Sequence, residues 1–100
     1  MRIKVKYLSR ANDITKKHYE EVDLPDNSTL KDLANILIER YGKDFKDYLY
    51  DDSERLVPLI FINKKSVNDL NYPIKEGSEI VFMAAIGGGK IKEGFKLFPP

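Results

Sequence analysis

The sequence predicts an α+β domain in which a mixed sheet of four to five strands packs on one main helix. Three observations carry this. The chain opens with a strand of strict period-two alternation, Arg2 to Tyr7. It contains one long apolar stripe at a 3.6-residue period, from Leu30 to Tyr41. Two further apolar runs, Leu56–Ile62 and Glu79–Ala85, follow that stripe. With 100 residues there is room for one core only. Folding at this length buries roughly two thirds of the unfolded surface, so the core needs no covalent staple.

In the first strand Ile3, Val5 and Tyr7 share one face, and the charged residues between them share the other. The stretch SRANDITKK is polar and reads as a turn-rich connection, after which the chain becomes extended again from Tyr19 to Leu24. Pro25-Asp26-Asn27 closes this second strand with turn chemistry. Two strands so close in sequence pair most simply as antiparallel neighbours. Next comes the helix. Leu30, Leu33, Ala34, Leu37, Ile38 and Tyr41 lie on one face. Thr29 is placed to cap it, Asp32 occupies the reciprocal capping-box position, and Gly42 suits the C′ position that ends it. KDFKDYLYDD can add a short second helix anchored by Phe45, Tyr48 and Leu49.

LVPLIFI is a continuous apolar run and reads as a strand contacted on both faces, with Pro58 at a strand start or an edge. Asn63-Lys64-Lys65 turns the chain, Ser66-Val67 is a strand stub, and EIVFMAA is the last strand. The order is β-β-α-β-β. One helix covers one face of such a sheet, so the other face is solvated or covered by something else. The large apolar residues of LVPLIFI and IVFM are either a few exposed side chains of central strands or a partner-binding patch.

Composition removes several function classes. With zero cysteines there is no disulfide, thiolate metal site or persulfide-carrying side chain. The lone His18 has no second histidine with which to hold a metal, so no metal is expected. No Ser/His/Asp or Cys/His set can be assembled, so no catalytic residue is assigned and the chain is not read as an enzyme. The 17 Lys plus Arg nearly cancel the 16 Asp plus Glu, which argues against a nucleic-acid partner. Residues 1–20 nevertheless carry six basic and two acidic side chains, read as a solvated face, and residues 21–54 carry four basic and ten acidic. The sequence has neither a run of 18 apolar residues nor a signal-peptide h-region, so no membrane partner is expected and the location is read as cytoplasmic.

Four pieces in order, MRIKVKYLSR, STLKDLANILIERYG, PLIFINKKSV and YPIKEGSEIVFM, are followed by FMAAIGGG. Together they resemble the ubiquitin-like β-grasp sulfur carriers, the family of the molybdopterin synthase small subunit and the thiamine-pathway carrier. The resemblance runs from residue 1 to residue 89 and implies a β-grasp domain over 1–89. Gly88-Gly89 stand where that family has its terminal glycine pair, with Gly87 as spacer. The family's proline pair is replaced here by Ala84-Ala85, and residues 90–100 form an extension beyond Gly89.

What the resemblance implies is a carrier that acts with enzymes. Its terminal glycine carboxylate, Gly89 here, is adenylated by a ubiquitin-activating-like adenylyltransferase and converted to a thiocarboxylate. It binds no cofactor stably, and ATP is used by the activating partner. Glycine suits the task because it has no side chain to obstruct a narrow channel. The implied partners are that adenylyltransferase and the molybdopterin synthase large subunit. A processing peptidase that removes 90–100 reconciles the extension with the need for a free carboxylate. The residue before the proline pair contacts the large subunit in the family, and that position is Met83. Ile86 is assigned to the same surface, as are Leu59 and Phe61, the last two by strand alternation.

Three functions remain open: a sulfur carrier for molybdopterin synthesis, a modifier conjugated through Gly89, and a non-covalent β-grasp module. In the last, the glycines are a joint leading to a docked tail that contains Phe95, Leu97 and Phe98. IKEG at 74–77 recurs at 91–94, either by chance or as a partial duplication of the tail segment.

Overall fold

The computed structural model describes residues 1–84. Strand β1 (Arg2–Tyr7) buries Ile3, Val5 and Tyr7, as its alternation requires. The segment that follows departs from the expected turn. Residues Arg10–Thr15 form a short helix, α1, held by burial of Ala11 and Thr15 four residues apart. Thr15 Oγ1 donates to the Ala11 carbonyl at 3.0 Å, and Lys16 stops the helix in a left-handed conformation with φ 63°. Two small buried residues, Ala11 of the core and polar Thr15, anchor α1 where a long apolar stripe would have announced it, which is why the polar sequence read as a turn.

Strand β2 (Tyr19–Asp23) returns antiparallel to β1 and buries Val22. Helix α2 (Leu30–Tyr41) buries Leu30, Leu33, Ala34 and Leu37, with Ile38 and Tyr41 packed at the margin. At its start the Asp32 carboxylate accepts from the Thr29 backbone N–H at 2.8 Å and from the Thr29 hydroxyl at 3.2 Å. Gly42, at φ 81°, ends α2 by donating its N–H to the Ile38 carbonyl and at once precedes helix α3 (Lys43–Leu49). The second helix expected there forms, anchored by fully buried Phe45 and Leu49.

Strand β3 (Leu59–Ile62) is shorter than the expected Leu56–Ile62. Leu56 bridges to Tyr50, the Val57 N–H goes to the Leu49 carbonyl, and buried Pro58, which has no N–H to offer, sits just before the strand. Asn63 and Lys64 both take positive φ, 51° and 71°, the requirement of a type I′ hairpin turn. They lead into β4 (Lys65–Ser66), which begins one residue before the expected stub. Strand β5 (Glu79–Met83) closes the described fold two residues short of the expected Ala85, which lies outside the described residues.

The sheet order is β2-β1-β5-β3-β4. β1 and β5 run parallel at its centre, and the remaining pairs are antiparallel. The three helices lie on one face, over a core in which Tyr7 stacks on Phe82 at 6.1 Å and Phe45 meets Phe82 edge-on at 5.8 Å.

Candidate partner face and the path of the chain to its glycines

Alternation sends the neighbours of the core residues to the face opposite the described helices. On β5 and β3 these are Val81, Met83, Leu59 and Phe61, all half-buried. Register brings the four together, since Met83 lies opposite Leu59 and Val81 opposite Phe61. Cross-strand pairs of this kind are the natural unit of a continuous apolar surface. Extending the β1–β5 register by one residue sets Leu8 beside Met83. Leu8 is 43% exposed, and its N–H donates to the Phe82 carbonyl at 2.9 Å.

The structure thus unites three residues that the sequence reading assigned to a partner surface, Met83, Leu59 and Phe61. It adds Val81, which that reading included within IVFM but did not single out. The signal for Val81 was present: it stands two residues from Met83 on the same strand and so must share its face. Ile86, Gly87, Gly88 and Gly89 lie outside the described residues, as does the proposed boundary between 89 and 90.

The other half of this face is charged and internally paired. Lys6 Nζ lies 3.1 Å from Glu79 Oε2, Arg2 Nε 3.0 Å from Asp23 Oδ1, and Lys4 Nζ 4.6 Å above the Tyr19 ring. The Arg2 hydrogen bond and charge hold the Asp23 carboxyl below its ordinary value. A basic first strand beside an acidic second strand therefore neutralises itself, and the apolar strip on β5 and β3 is the uncharged part of this face.

Glu20 stands apart, on the helix side of β2. One of its oxygens accepts from the Tyr7 and Tyr41 hydroxyls, both at 2.5 Å, and the other from Arg40 at 2.9 Å and Lys17 at 3.2 Å. Burial opposes its ionisation, but the bonds from Tyr41, Tyr7 and Lys17 outweigh burial and hold its pKa below the ordinary value. Burial, and then the Glu20 bond, push the Tyr7 hydroxyl well above the usual tyrosine range, so it remains a donor. Every lone-pair direction of this carboxylate is engaged within the fold. The cluster ties β2 to β1 and α2 and presents no free group for chemistry.

Among the described residues no group of His, Asp and Glu could hold a metal ion, and no helix is long and apolar enough to cross a membrane. The groove between α2 and the end of α3, about 330 Å³, is lined by Lys31, Lys46, Asp47, Asp51 and Asp52, which supply charge but no nucleophile with a base beside it. Because β5 is flanked by β1 and β3, the polypeptide leaves the centre of the sheet at Ala84, next to Met83.

A family model described as the ThiS family matches residues 5–89. No curated protein matches the sequence. Among solved structures, SAMP1 of Haloferax volcanii superposes with a TM-score of 0.76 at 15% identity, over 89% of this chain and 100% of that one. A chain of the protein–protein complex of subunits 1 and 2 of the molybdopterin-converting factor from Helicobacter pylori gives 0.61 at 26% identity, over 89% and 100%. A Pyrococcus furiosus protein designated molybdopterin converting factor subunit 1 gives 0.66 at 25% identity, over 81% and 93%. The likeness in each case spans the whole ubiquitin-like β-grasp fold.

Proposed function

Because the chain belongs to the ThiS family, we propose that it is the sulfur carrier of molybdopterin synthesis and holds sulfur as a thiocarboxylate on Gly89. The observation that carries this reading is where the family match stops. It ends at residue 89, on the second glycine of Gly88-Gly89, and leaves 90–100 outside. The working form is then the chain ending at Gly89, produced by a peptidase acting on the glycine-rich junction.

The chemistry follows from a free carboxylate. A Gly89 carboxylate oxygen attacks the α-phosphorus of ATP in an activating adenylyltransferase, giving an acyl adenylate and releasing pyrophosphate. Sulfide-level sulfur (HS⁻) supplied by the partner system then attacks the acyl carbon, AMP leaves and the S–H proton is lost, so that the carboxylate has exchanged one oxygen for sulfur. No side chain of this protein is required as acid or base. Its contribution is to present an unbranched end that enters a narrow channel, and to dock through the Leu59, Phe61, Val81 and Met83 strip. Similarity at 26% identity to a chain of a complex between subunits 1 and 2 supports a subunit partner for that strip. An ATP-using activating enzyme and a pterin synthase as partners make the cytoplasm the expected location.

Conjugation through Gly89, as in a protein modifier, starts from the same adenylate and differs in the nucleophile, a lysine amine in place of sulfur. A non-covalent module needs no adenylate at all. The test is pyrophosphate exchange with the cognate activating enzyme. A chain truncated after Gly89 should be active and the full chain inert, since an internal peptide bond offers no carboxylate. Inert truncated protein, or rescue of a carrier-deficient cell by uncut full-length protein, refutes the carrier reading. Intact mass from native cells then separates a thiocarboxylate from a conjugate.

A further inference from the structure

Strand β2 forms one margin of the sheet. The Leu24 N–H donates to the Met1 carbonyl, and the His18 carbonyl accepts from the Tyr7 N–H, so the even-numbered residues from His18 to Leu24 aim their backbone groups at β1. Alternation then turns the N–H and C=O groups of Tyr19, Glu21 and Asp23 outward. All three residues are exposed, and these backbone groups have no hydrogen-bond partner among the described residues. Sheet edges are commonly blunted by brevity, a proline, a bulge or charge. β4, at the other margin, is only two residues long. β2 has five residues in unbroken register with β1 and contains no proline. Its protection is charge alone, since residues 20–26, EEVDLPD, hold four acidic side chains and no basic one.

The same charge selects what this edge accepts. A second copy pairing antiparallel through the centre of β2 would set the two Glu21 side chains opposite each other, and like charges so placed repel. The inner edge of β2 displays the complementary strand. There β1, RIKVKY, lays Arg2 opposite Asp23, Lys4 opposite Glu21 and Lys6 opposite Tyr19. Lys4 Nζ sits 4.6 Å above the Tyr19 ring, and Arg2 is shared between Glu21 at 3.3 Å and Asp23 at 3.0 Å. One guanidinium faces two carboxylates that are 59% and 75% exposed, so negative charge is left over for a strand on the outer side. We propose that the outer edge of β2 binds an extended segment of another protein with Lys or Arg at alternate positions, added to the five-stranded sheet as a further antiparallel strand. The backbone groups of Tyr19, Glu21 and Asp23 hold its main chain. Its basic side chains lie on the face of Glu21 and Asp23. The residues between them lie on the helix side and are uncharged, because Glu20 there is already engaged by Arg40 and Lys17. β1 separates this edge from β5, so the segment leaves Met83 uncovered and its binding does not rest on the carrier reading.

The experiment titrates a capped synthetic peptide of sequence RIKVKY into the isotopically labelled full chain and follows its amide resonances. Those of Tyr19, Glu21 and Asp23 should shift, and their amide hydrogen exchange should slow. Exchange at Glu20 and Val22 should not change, because their N–H groups already face β1. The chain carrying Glu21→Lys and Asp23→Lys should bind the peptide about tenfold more weakly. Two altered peptides leave the protein unchanged and so do not depend on how that variant folds. EIEVEY reverses the charge and should not bind. RIKVKY N-methylated at its three basic residues keeps the charge but lacks the N–H groups that face β2, and it should not bind either. Equal binding by the N-methylated peptide overturns the proposal by reducing the contact to charge attraction. Equal binding by EIEVEY or by the double variant overturns the role of charge. Exchange that slows at consecutive residues, or at none, overturns strand addition. Resonances of Tyr19, Glu21 and Asp23 that move with protein concentration in the absence of peptide also overturn it, by making a second copy the occupant.

Discussion

Phe82 and Met83 are adjacent on β5 and face opposite ways, which makes them a direct test of the face assignment. Phe82 is fully buried, stacked on Tyr7 and edge-on to Phe45, while Met83 is half-buried opposite Leu59. Phe82→Ala removes a ring from the centre of the core and should cost about 3–5 kcal/mol. That is a large share of the roughly 5–15 kcal/mol that keeps a domain folded. Met83→Asp loses only part of a burial and places a poor strand former on the sheet, a cost of about 1 kcal/mol. With a urea slope near 1.5 kcal/mol per molar, the midpoint falls by roughly 2–3 M for Phe82→Ala and by less than about 0.7 M for Met83→Asp. The order reverses in binding. A carboxylate buried against an apolar partner surface without a counter-charge is strongly unfavourable, so Met83→Asp should abolish measurable capture of a large subunit or activating enzyme. Urea unfolding followed by far-UV circular dichroism supplies the first comparison, and titration calorimetry with the folded variant supplies the second. If Met83→Asp destabilises as much as Phe82→Ala, Met83 belongs to the core and the open-face strip does not exist.

Leu33→Ala or Leu37→Ala should each cost about 2–5 kcal/mol in denaturant unfolding, because both residues are fully buried at mid-stripe on α2; unchanged midpoints would displace that helix. Glu20 has a folded pKa held below the unfolded value of 4.5, so its stabilising contribution is complete above that pH and is lost as pH falls through the folded value. Glu20→Gln should therefore lower stability by roughly 1–3 kcal/mol at pH 7 and flatten the decline in urea midpoint between about pH 5 and pH 3. An equally steep acid decline in the variant would assign that decline to other carboxylates.

Periodicity made α2 and β1 legible because both place their apolar residues on one face at regular spacing, and that rule needs no neighbour to be known. The capping pair Thr29 and Asp32 and the stop at Gly42 are local in the same sense: each is a hydrogen bond or a backbone angle among residues a few positions apart. The glycine pair and its place in the family pattern were likewise read from residue order alone.

Long-range packing decided the rest. α1 exists because Ala11 and Thr15 are buried against the rest of the fold, and nothing in a polar nine-residue stretch reveals that these two small side chains will be covered. β3 starts at Leu59 because Leu56 and Val57 are drawn to Tyr50 and Leu49, partners contributed by a preceding segment that local pattern treated separately. The engagement of Glu20 by four donors from β1, α2 and the end of the first connection arises only when those elements are assembled. Strand alternation could suggest that Leu59, Phe61 and Met83 point one way. That they form one strip with Val81 required the antiparallel register of β3 and β5, and the parallel register of β5 and β1 placed the strip beside the self-neutralised charges of β1 and β2. A one-residue slip in either pairing would have turned every side chain of a strand to the other face, so the docking surface is a property of register, which a sequence specifies only through the complete core.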